Sequence, residues 1–119
     1  MMRMILMLAC VMTPALTHAQ DATTAQGADL RVLDKLNGTV TDVALRTGET
    51  ATLGYLRVNL KECRYPTDNP NGDAYADLRV IYRDAEEPAF EGWLIASAPA
   101  LNAMEHPRYD VWVLRCIRS

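Results

Sequence analysis

Four residues near the end of the chain are of the types that carry out hydrolysis. Ser97 would be the nucleophile, His106 the general base and Asp110 the group that orients the histidine, with Glu105 directly before His106. Ser97 stands in the sequence IASAP, residues 95–99, which is not the glycine-flanked elbow of hydrolases. The alternative, which we favour, is that Ser97 caps the alanine-rich turn after it and that Glu105 and His106 close that turn by hydrogen bonds.

The same segment also contains residue types that bind metals. One histidine and two carboxylates, His106 with Glu105 and Asp110, are a set that zinc or iron can bind. Adjacent residues of an extended segment face opposite ways, and Pro107 biases His106 towards an extended conformation. Glu105 and His106 would therefore not point at one ion easily, and we expect no metal and no other cofactor.

An interaction surface is the third use of this region. Trp93, Tyr109 and Trp112 lie on the two segments that flank the loop, and aromatic side chains anchor interfaces because each buries a large area at little entropic cost. A single tryptophan on a strand is usually core, but this set exceeds what so small a domain must bury. We therefore predict one contact patch here. Its residues are Trp93, Ser97, Glu105, His106, Tyr109 and Trp112.

Two apolar segments, residues 90–97 and 109–116, must position these side chains. Both are rich in the aromatic and branched residues that favour β-strands. The second segment is apolar on both faces, with Trp112 and Cys116 on one and Tyr109 on the other, so we expect it in the middle of a sheet or under a partner. The loop between them would contain one short helical turn at most.

The upstream part of the chain has the same alternation of apolar and polar residues. In the predicted strand 51–60, Leu56, Val58 and Leu60 face one way and polar residues the other. Turn-forming residues separate the segments at regular intervals. These features predict an all-β fold, a small antiparallel sandwich or barrel of five to six short strands. The predicted strands are 39–45, 51–60, 74–83, 90–97 and 109–116, and the longest predicted loop is 62–73. Residues 28–36 are predicted to be a short strand or an irregular entry to the fold.

Residues 1–19 are predicted to be a signal peptide and not part of the fold. Arg3 precedes an apolar run at 4–12 that is too short to cross a bilayer, and Thr17 and Ala19 are the small residues of a cleavage site. We expect cleavage after Ala19 and export to the periplasm. The alternative is a lipoprotein anchored through Cys10, but the apolar run before this cysteine is short and the usual leucine is missing.

Charge excludes several classes of partner. The whole chain has a net charge of −3, and removal of the signal peptide takes away one basic residue, Arg3, and no acidic residue. Nucleic acids and anionic membrane surfaces attract basic proteins, so neither is an expected partner. Residues 20–29 are small and polar and are predicted to be a disordered lead, with residues 30–119 as a single β domain.

Two cysteines remain after the signal peptide, Cys63 and Cys116. In an exported protein a disulfide is the default for such a pair, and a free buried pair is the alternative. The bridge would close a loop of about fifty residues and stabilise the fold by about 4 kcal/mol in the chain-entropy model. Two soft ligands are too few for a metal site.

The last third of the chain resembles a known family. The motifs are F-x-G-W at 90–93, A-S-x-P at 96–99 and E-H-P-x-Y-D-V-W-V at 105–113, with a closing cysteine. They are similar to an alphaproteobacterial family of exported proteins, the domain of unknown function twenty-one fifty-five. Upstream, residues 48–50, Leu53 and Cys63 also fit.

This resemblance covers about residues 36–116 and implies a role without implying a reaction. The family has no established activity, so no catalytic residue is carried over to this chain. Its genes often neighbour the gene for an accessory subunit of respiratory NADH:quinone oxidoreductase (complex I). That association implies an accessory part on the periplasmic face of the complex.

We therefore predict a periplasmic structural or interaction module and not an enzyme. It would dock on a larger protein assembly, complex I being the one that the resemblance implies, and would meet the membrane only through that partner. One alternative is a small hydrolase or metal-dependent enzyme that uses Ser97, His106 and Asp110. The other is a module that binds a small ligand or a glycan through exposed aromatic side chains.

Overall fold

In the computed structural model, which describes Cys10 and residues 21–118, the chain folds into two antiparallel β-sheets. The strands are β1 (Ala22–Thr24), β2 (Gly27–Asp34), β3 (Thr39–Arg46), β4 (Thr50–Leu53), β5 (Leu56–Pro66), β6 (Tyr75–Tyr82), β7 (Phe90–Ile95) and β8 (Tyr109–Ile117). The larger sheet has the order β1-β5-β6-β7, with β4 also paired to β5, and the smaller sheet has the order β3-β2-β8. The predicted all-β sandwich is confirmed, with eight strands in place of five or six.

The described residues contain no helix, and so none that could cross a membrane. The sequence allows one short helical turn at most in the loop between β7 and β8. This loop contains hydrogen-bonded turns instead, in which the Ala98 amide donates to the Ile95 carbonyl and the Leu101 amide to the Ala98 carbonyl. The predicted signal peptide lies, apart from Cys10, outside the described residues.

The core lies between the two sheets and is built from alternate residues of their strands. Leu56, Val58 and Leu60 of β5 are fully buried, as their spacing predicts, because every second side chain of a strand points to the same face. The facing strands follow the same rule. Other buried side chains include Ala28, Leu30 and Val32 of β2, Ala76, Leu78 and Val80 of β6, Leu94 of β7, and Tyr109, Val111 and Val113 of β8, together with Leu45 of β3, Cys63 of β5 and Met104 of the β7–β8 loop.

A tight turn divides the predicted strand 51–60 into two. Gly54 has a φ of 60°, a left-handed conformation that glycine adopts without strain, and it reverses the chain between β4 and β5. β5 then runs on through Cys63 to Pro66, so the predicted loop 62–73 begins later than expected. Alternation did not reveal the turn, because apolar and polar residues alternate on both sides of it.

The lead at residues 20–29, which was expected to be disordered, is largely paired in the structure. In β1, Ala22 lies opposite Pro66, and the amide of Ala25 donates to the carbonyl of Cys63 at 2.7 Å. The next amide, that of Gln26, donates to Ile117 in the other sheet at 3.0 Å. The expectation was wrong here because small polar residues can form a strand when a neighbouring edge offers backbone partners.

The predicted disulfide between Cys63 and Cys116 is confirmed and joins β5 of the larger sheet to β8 of the smaller one. Each strand has a register shift shortly before its cysteine, between Leu60 and Glu62 in β5 and opposite Asp29 and Leu30 in β8. Such a bulge inserts one residue and turns the following side chains to the other face. Cys116 therefore points inward, whereas simple alternation had placed it with Trp112 on the outer side.

Candidate functional site

The three aromatic residues predicted to form one contact patch lie in three different parts of the fold. Trp93 is 37% exposed on the outer face of the larger sheet, where it is paired with Asp77. Trp112 is half-buried on the outer face of the smaller sheet beside Arg31, and Tyr109 is buried between the sheets. The expected shared patch is wrong because β7 and β8, although consecutive, belong to different sheets.

Ser97 is held by the carboxylate of Asp73 and not by the imidazole of His106. Its hydroxyl donates to Asp73 Oδ2 at 2.6 Å and its amide to Asp73 Oδ1 at 3.0 Å. This pair borders a cavity of about 510 Å³ along β8, whose lining includes Arg115, which pairs with Asp29 at 2.8 Å. The hydroxyl therefore fastens the loop before β6 to the end of β7, and the expected cap on the alanine-rich turn is not formed by it.

The other residues of the hypothetical hydrolase are also engaged in local structure. His106 Nδ1 accepts hydrogen bonds from the amides of Arg108 and Tyr109, both at 3.1 Å, and Asp110 Oδ1 accepts one from Val111 at 2.9 Å. Within residues 21–118, no hydrogen bond joins His106 to Ser97 or Asp110. Glu105 is exposed, and the described residues hold no group of three His, Cys, Asp or Glu side chains that could bind a metal.

His106 instead belongs to a group of aromatic rings and guanidiniums at one end of the sandwich, which we call the aromatic–arginine cluster. Its six members come from the β4–β5 turn, the end of β6 and the start of β8. They are Tyr55, Tyr82, Arg83, His106, Arg108 and Tyr109.

The cluster is tightly stacked. The Arg83 guanidinium carbon lies 4.8 Å from the ring centre of Tyr55 and 5.4 Å from that of Tyr82. The Arg108 guanidinium carbon lies 5.3 Å from Tyr55 and 5.1 Å from Tyr109. These distances are those of cation–π contacts, which are attractive because the face of an aromatic ring carries negative charge. Tyr55 thus contacts both guanidiniums and is itself half exposed to solvent.

The local backbone explains why these side chains meet. The reversal at Gly54 brings the amide of Tyr55 over the buried Tyr109, whose hydroxyl accepts from it at 3.3 Å. A Cβ at Gly54 would come within 2.7 Å of that hydroxyl, so the turn can approach only because this residue is glycine. The amide of Arg83 donates to the carbonyl of Tyr55 at 2.7 Å and fixes the end of β6 against the same turn.

An ion pair to the last residue of β2 and a hydrogen bond from the residue after it hold the cluster in place. Arg108 donates to both carboxylate oxygens of Asp34, at 3.2 and 3.1 Å, and both side chains are largely shielded from solvent. Planar pairs of this kind are among the most directional contacts that side chains make. Next to Asp34, the ammonium of Lys35 donates to the carbonyl of His106 at 2.6 Å. The segment 106–108 is therefore held from several sides.

Charge and burial shift the titration of three groups here. The Arg108 guanidinium, which donates to the carboxylate, lowers the pKa of Asp34. The guanidiniums of Arg83 and then Arg108 lower the pKa of the Tyr82 phenol because they favour its anionic form. Burial, and to a smaller extent the charge of Lys35, lowers the pKa of His106. The imidazole is consequently held neutral, which agrees with the two amides that donate to its Nδ1.

Beside the cluster, a cavity of about 340 Å³ opens to solvent. Arg83 and Tyr55 form one side of it, and Arg57 and Asp84 form another. The last two make a loose ion pair, with 3.6 Å between Arg57 Nη2 and Asp84 Oδ1. The cavity thus offers an aromatic face and two guanidiniums against one exposed carboxylate, an arrangement suited to a small anionic group.

Sequence reasoning found His106 and Tyr109 but gave them other roles, and it missed Tyr55, Tyr82, Arg83 and Arg108. One signal was present. Tyrosine and arginine are adjacent three times, as Arg64-Tyr65 within β5, as Tyr82-Arg83 at the end of β6 and as Arg108-Tyr109 at the start of β8. Only the pairing of the strands shows that the last two dipeptides meet and that the first lies elsewhere.

The family model described as an uncharacterized protein conserved in bacteria (DUF2155) matches residues 28–116. The chain belongs to this family. The match begins in β2, ends at the second disulfide cysteine, and so contains the whole aromatic–arginine cluster. The resemblance recognised from the motifs is thereby confirmed.

A curated relative of this family member is an uncharacterized protein of Rickettsia prowazekii (strain Madrid E). The two are 30% identical over 87 residues, which is 71% of this chain and 56% of the relative. The chain thus spans little more than half the length of the curated relative. No solved structure matches the chain.

Proposed function

We propose that this protein is an exported structural and interaction module, not an enzyme, and that the aromatic–arginine cluster is its contact surface. The observation that carries the proposal is the stack of Tyr55 on two guanidiniums at an exposed end of the sandwich. Tyrosine and arginine are enriched among the residues that contribute most to protein–protein binding. The polar atoms of Ser97, His106 and Asp110, by contrast, serve the fold.

Rigidity makes the cluster suited to this role. A flexible side chain loses rotamer entropy on binding, at a cost of about 0.5–1.5 kcal/mol. Arg108 is already fixed by Asp34, and Tyr55 by the turn at Gly54. A partner that packs on Tyr55 would therefore meet a surface that is ordered before it binds.

Export is supported by the disulfide, since such bridges persist in oxidising compartments such as the periplasm. The composition of residues 1–19 supports the same address. For the partner, we propose a larger protein assembly and, following the resemblance, the periplasmic face of complex I. The acidic charge of the chain disfavours direct attachment to an anionic membrane surface.

The experiment is a capture of partners from detergent-solubilised membranes of the encoding bacterium. The tagged protein is expressed there with its native N-terminal segment. Tyr55→Ala should weaken binding by about 2 kcal/mol or more, roughly thirtyfold, if Tyr55 is a central anchor. Leu101→Ala is the control, because Leu101 is 75% exposed and lies outside the cluster.

We expect complex I subunits with the wild type and the control, and their loss with Tyr55→Ala. If no respiratory subunit accompanies the wild type, the complex I proposal is refuted. If Tyr55→Ala captures the partner as well as the wild type does, the cluster is not the contact surface. The mass of the captured protein also shows whether cleavage took place after Ala19.

A further inference from the structure

We infer that the cavity beside Tyr55 binds an acidic side chain of the partner, and that Arg83 is the group that binds it. That this acidic side chain belongs to the partner rests on the proposed function. Arg83 is the guanidinium of the cluster that makes no ion pair within residues 21–118. Arg108 is neutralised by Asp34, and the neighbouring Arg57 has Asp84.

The backbone at Arg83 supports a role for its side chain. Among the described residues it is the one non-glycine residue with a positive φ, 56°. A left-handed conformation is unfavourable for a residue that carries a side chain, whereas glycine would adopt it without strain. Strain of this kind collects at functional positions, where the surrounding structure maintains it. Here the hydrogen bond from the Arg83 amide to the Tyr55 carbonyl maintains the left-handed conformation and places the guanidinium over Tyr55.

The guanidinium of Arg83 interacts with the Tyr82 phenol but carries more N–H donors than that one oxygen can accept. A guanidinium that rests on a ring uses its flat face, while its N–H groups point outward in the plane of the group. Those N–H groups match the two oxygens of a carboxylate, which guanidinium binds in a planar, bidentate manner. The cavity of about 340 Å³ is large enough for the end of a glutamate or aspartate side chain.

Local charge favours the same ligand. The cavity is lined by two cations, Arg57 and Arg83, and by one acid, Asp84, in a chain whose overall net charge is −3. Asp84 is fully exposed and 3.6 Å from Arg57, so it neutralises Arg83 poorly. An acidic side chain from outside is thus attracted to this cavity despite the negative net charge of the chain.

The test uses a peptide probe and the protein without its signal peptide. N-acetyl-Glu-Glu-amide is titrated against ¹⁵N-labelled protein, with N-acetyl-Gln-Gln-amide as the uncharged control and inorganic phosphate as a second anion. The Arg83 Nε–H and Tyr55 amide signals should shift saturably with the glutamate peptide alone. Arg83→Gln should raise its Kd at least about tenfold, because a charge-assisted hydrogen bond is lost. Arg83→Lys should lie between, since an ammonium binds as a point charge.

Arg79→Gln is the matched control, because Arg79 is an exposed arginine of β6, the strand that ends one residue before Arg83, and does not line this cavity. It should leave the Kd unchanged. The inference is overturned if the glutamine peptide or phosphate binds equally well. It is also overturned if Arg83→Gln, shown to be folded by its amide spectrum, binds the glutamate peptide as the wild type does.

The capture experiment separates this inference from the proposed function. If Tyr55→Ala loses the partner but Arg83→Gln keeps it, docking through the cluster stands and recognition of an acidic side chain falls. If the glutamate peptide binds at Arg83 but Tyr55→Ala still captures the partner, the carboxylate site stands and the proposed contact surface falls.

Discussion

Removing the disulfide should lower the free energy of unfolding by more than any single substitution on the surface. The perturbation is the double variant Cys63→Ala/Cys116→Ala, in which alanine leaves no polar group where Cys63 is fully buried. The cysteines are 53 residues apart in the chain. In the chain-entropy model a loop of that length restricts the unfolded state by about 14 cal/mol/K, which is about 4 kcal/mol at 25 °C.

That loss is large for a domain of this size. Proteins of about a hundred residues are stable by about 5–15 kcal/mol in total. Their entropy of unfolding is about 0.2 kcal/mol/K, so a loss of 4 kcal/mol lowers the melting temperature by about 20 °C. Because the bridge joins the two sheets, its removal should also weaken their packing.

The assay is thermal and urea unfolding of the wild type and the double variant, each with and without reductant. The wild type should lose about 20 °C in reductant, and the double variant should show the lower melting temperature in both buffers. A reductant effect on the double variant would point to a cause other than this bridge. If the oxidised wild type and the double variant melt within about 5 °C of each other, the loop-entropy reasoning is refuted.

Two other predictions test the cluster. His106 has a pKa below its usual 6.5, so the unfolded chain binds protons first and stability should fall as the pH drops below about 6.5. Protonation also removes the Nδ1 acceptor of the two backbone amides. His106→Asn keeps an acceptor and does not titrate, so its free energy of unfolding should fall less between pH 7 and 5. An equal fall for both proteins in urea unfolding would contradict this. Gly54→Ala should destabilise by more than Gly38→Ala, which costs about 1–2 kcal/mol, because both have positive φ but only at Gly54 does the added Cβ meet Tyr109. Equal urea midpoints for the two alanine variants would show that the Tyr109 hydroxyl moves aside freely.

The sequence by itself determined the fold class, most of the buried face and the disulfide. Alternation along a strand is a local property, so Leu56, Val58 and Leu60 identify an inward face without knowledge of the partner strand. Cys63 and Cys116 could be paired from the sequence because the third cysteine, Cys10, lies in the predicted signal peptide. Motifs of the last third were likewise enough to recognise the family.

Only the tertiary structure decided which strands share a sheet, and with that the position of the candidate site. Trp93 and Trp112 are separated because the chain crosses from one sheet to the other between β7 and β8, a choice made by strand partners far away in sequence. Cys116 points inward because a bulge shifts the register of β8, and bulges depend on the paired strand. Tyr55 meets Arg83 and Arg108 for the same reason, since non-local pairing brings together the ends of strands that no local pattern connects.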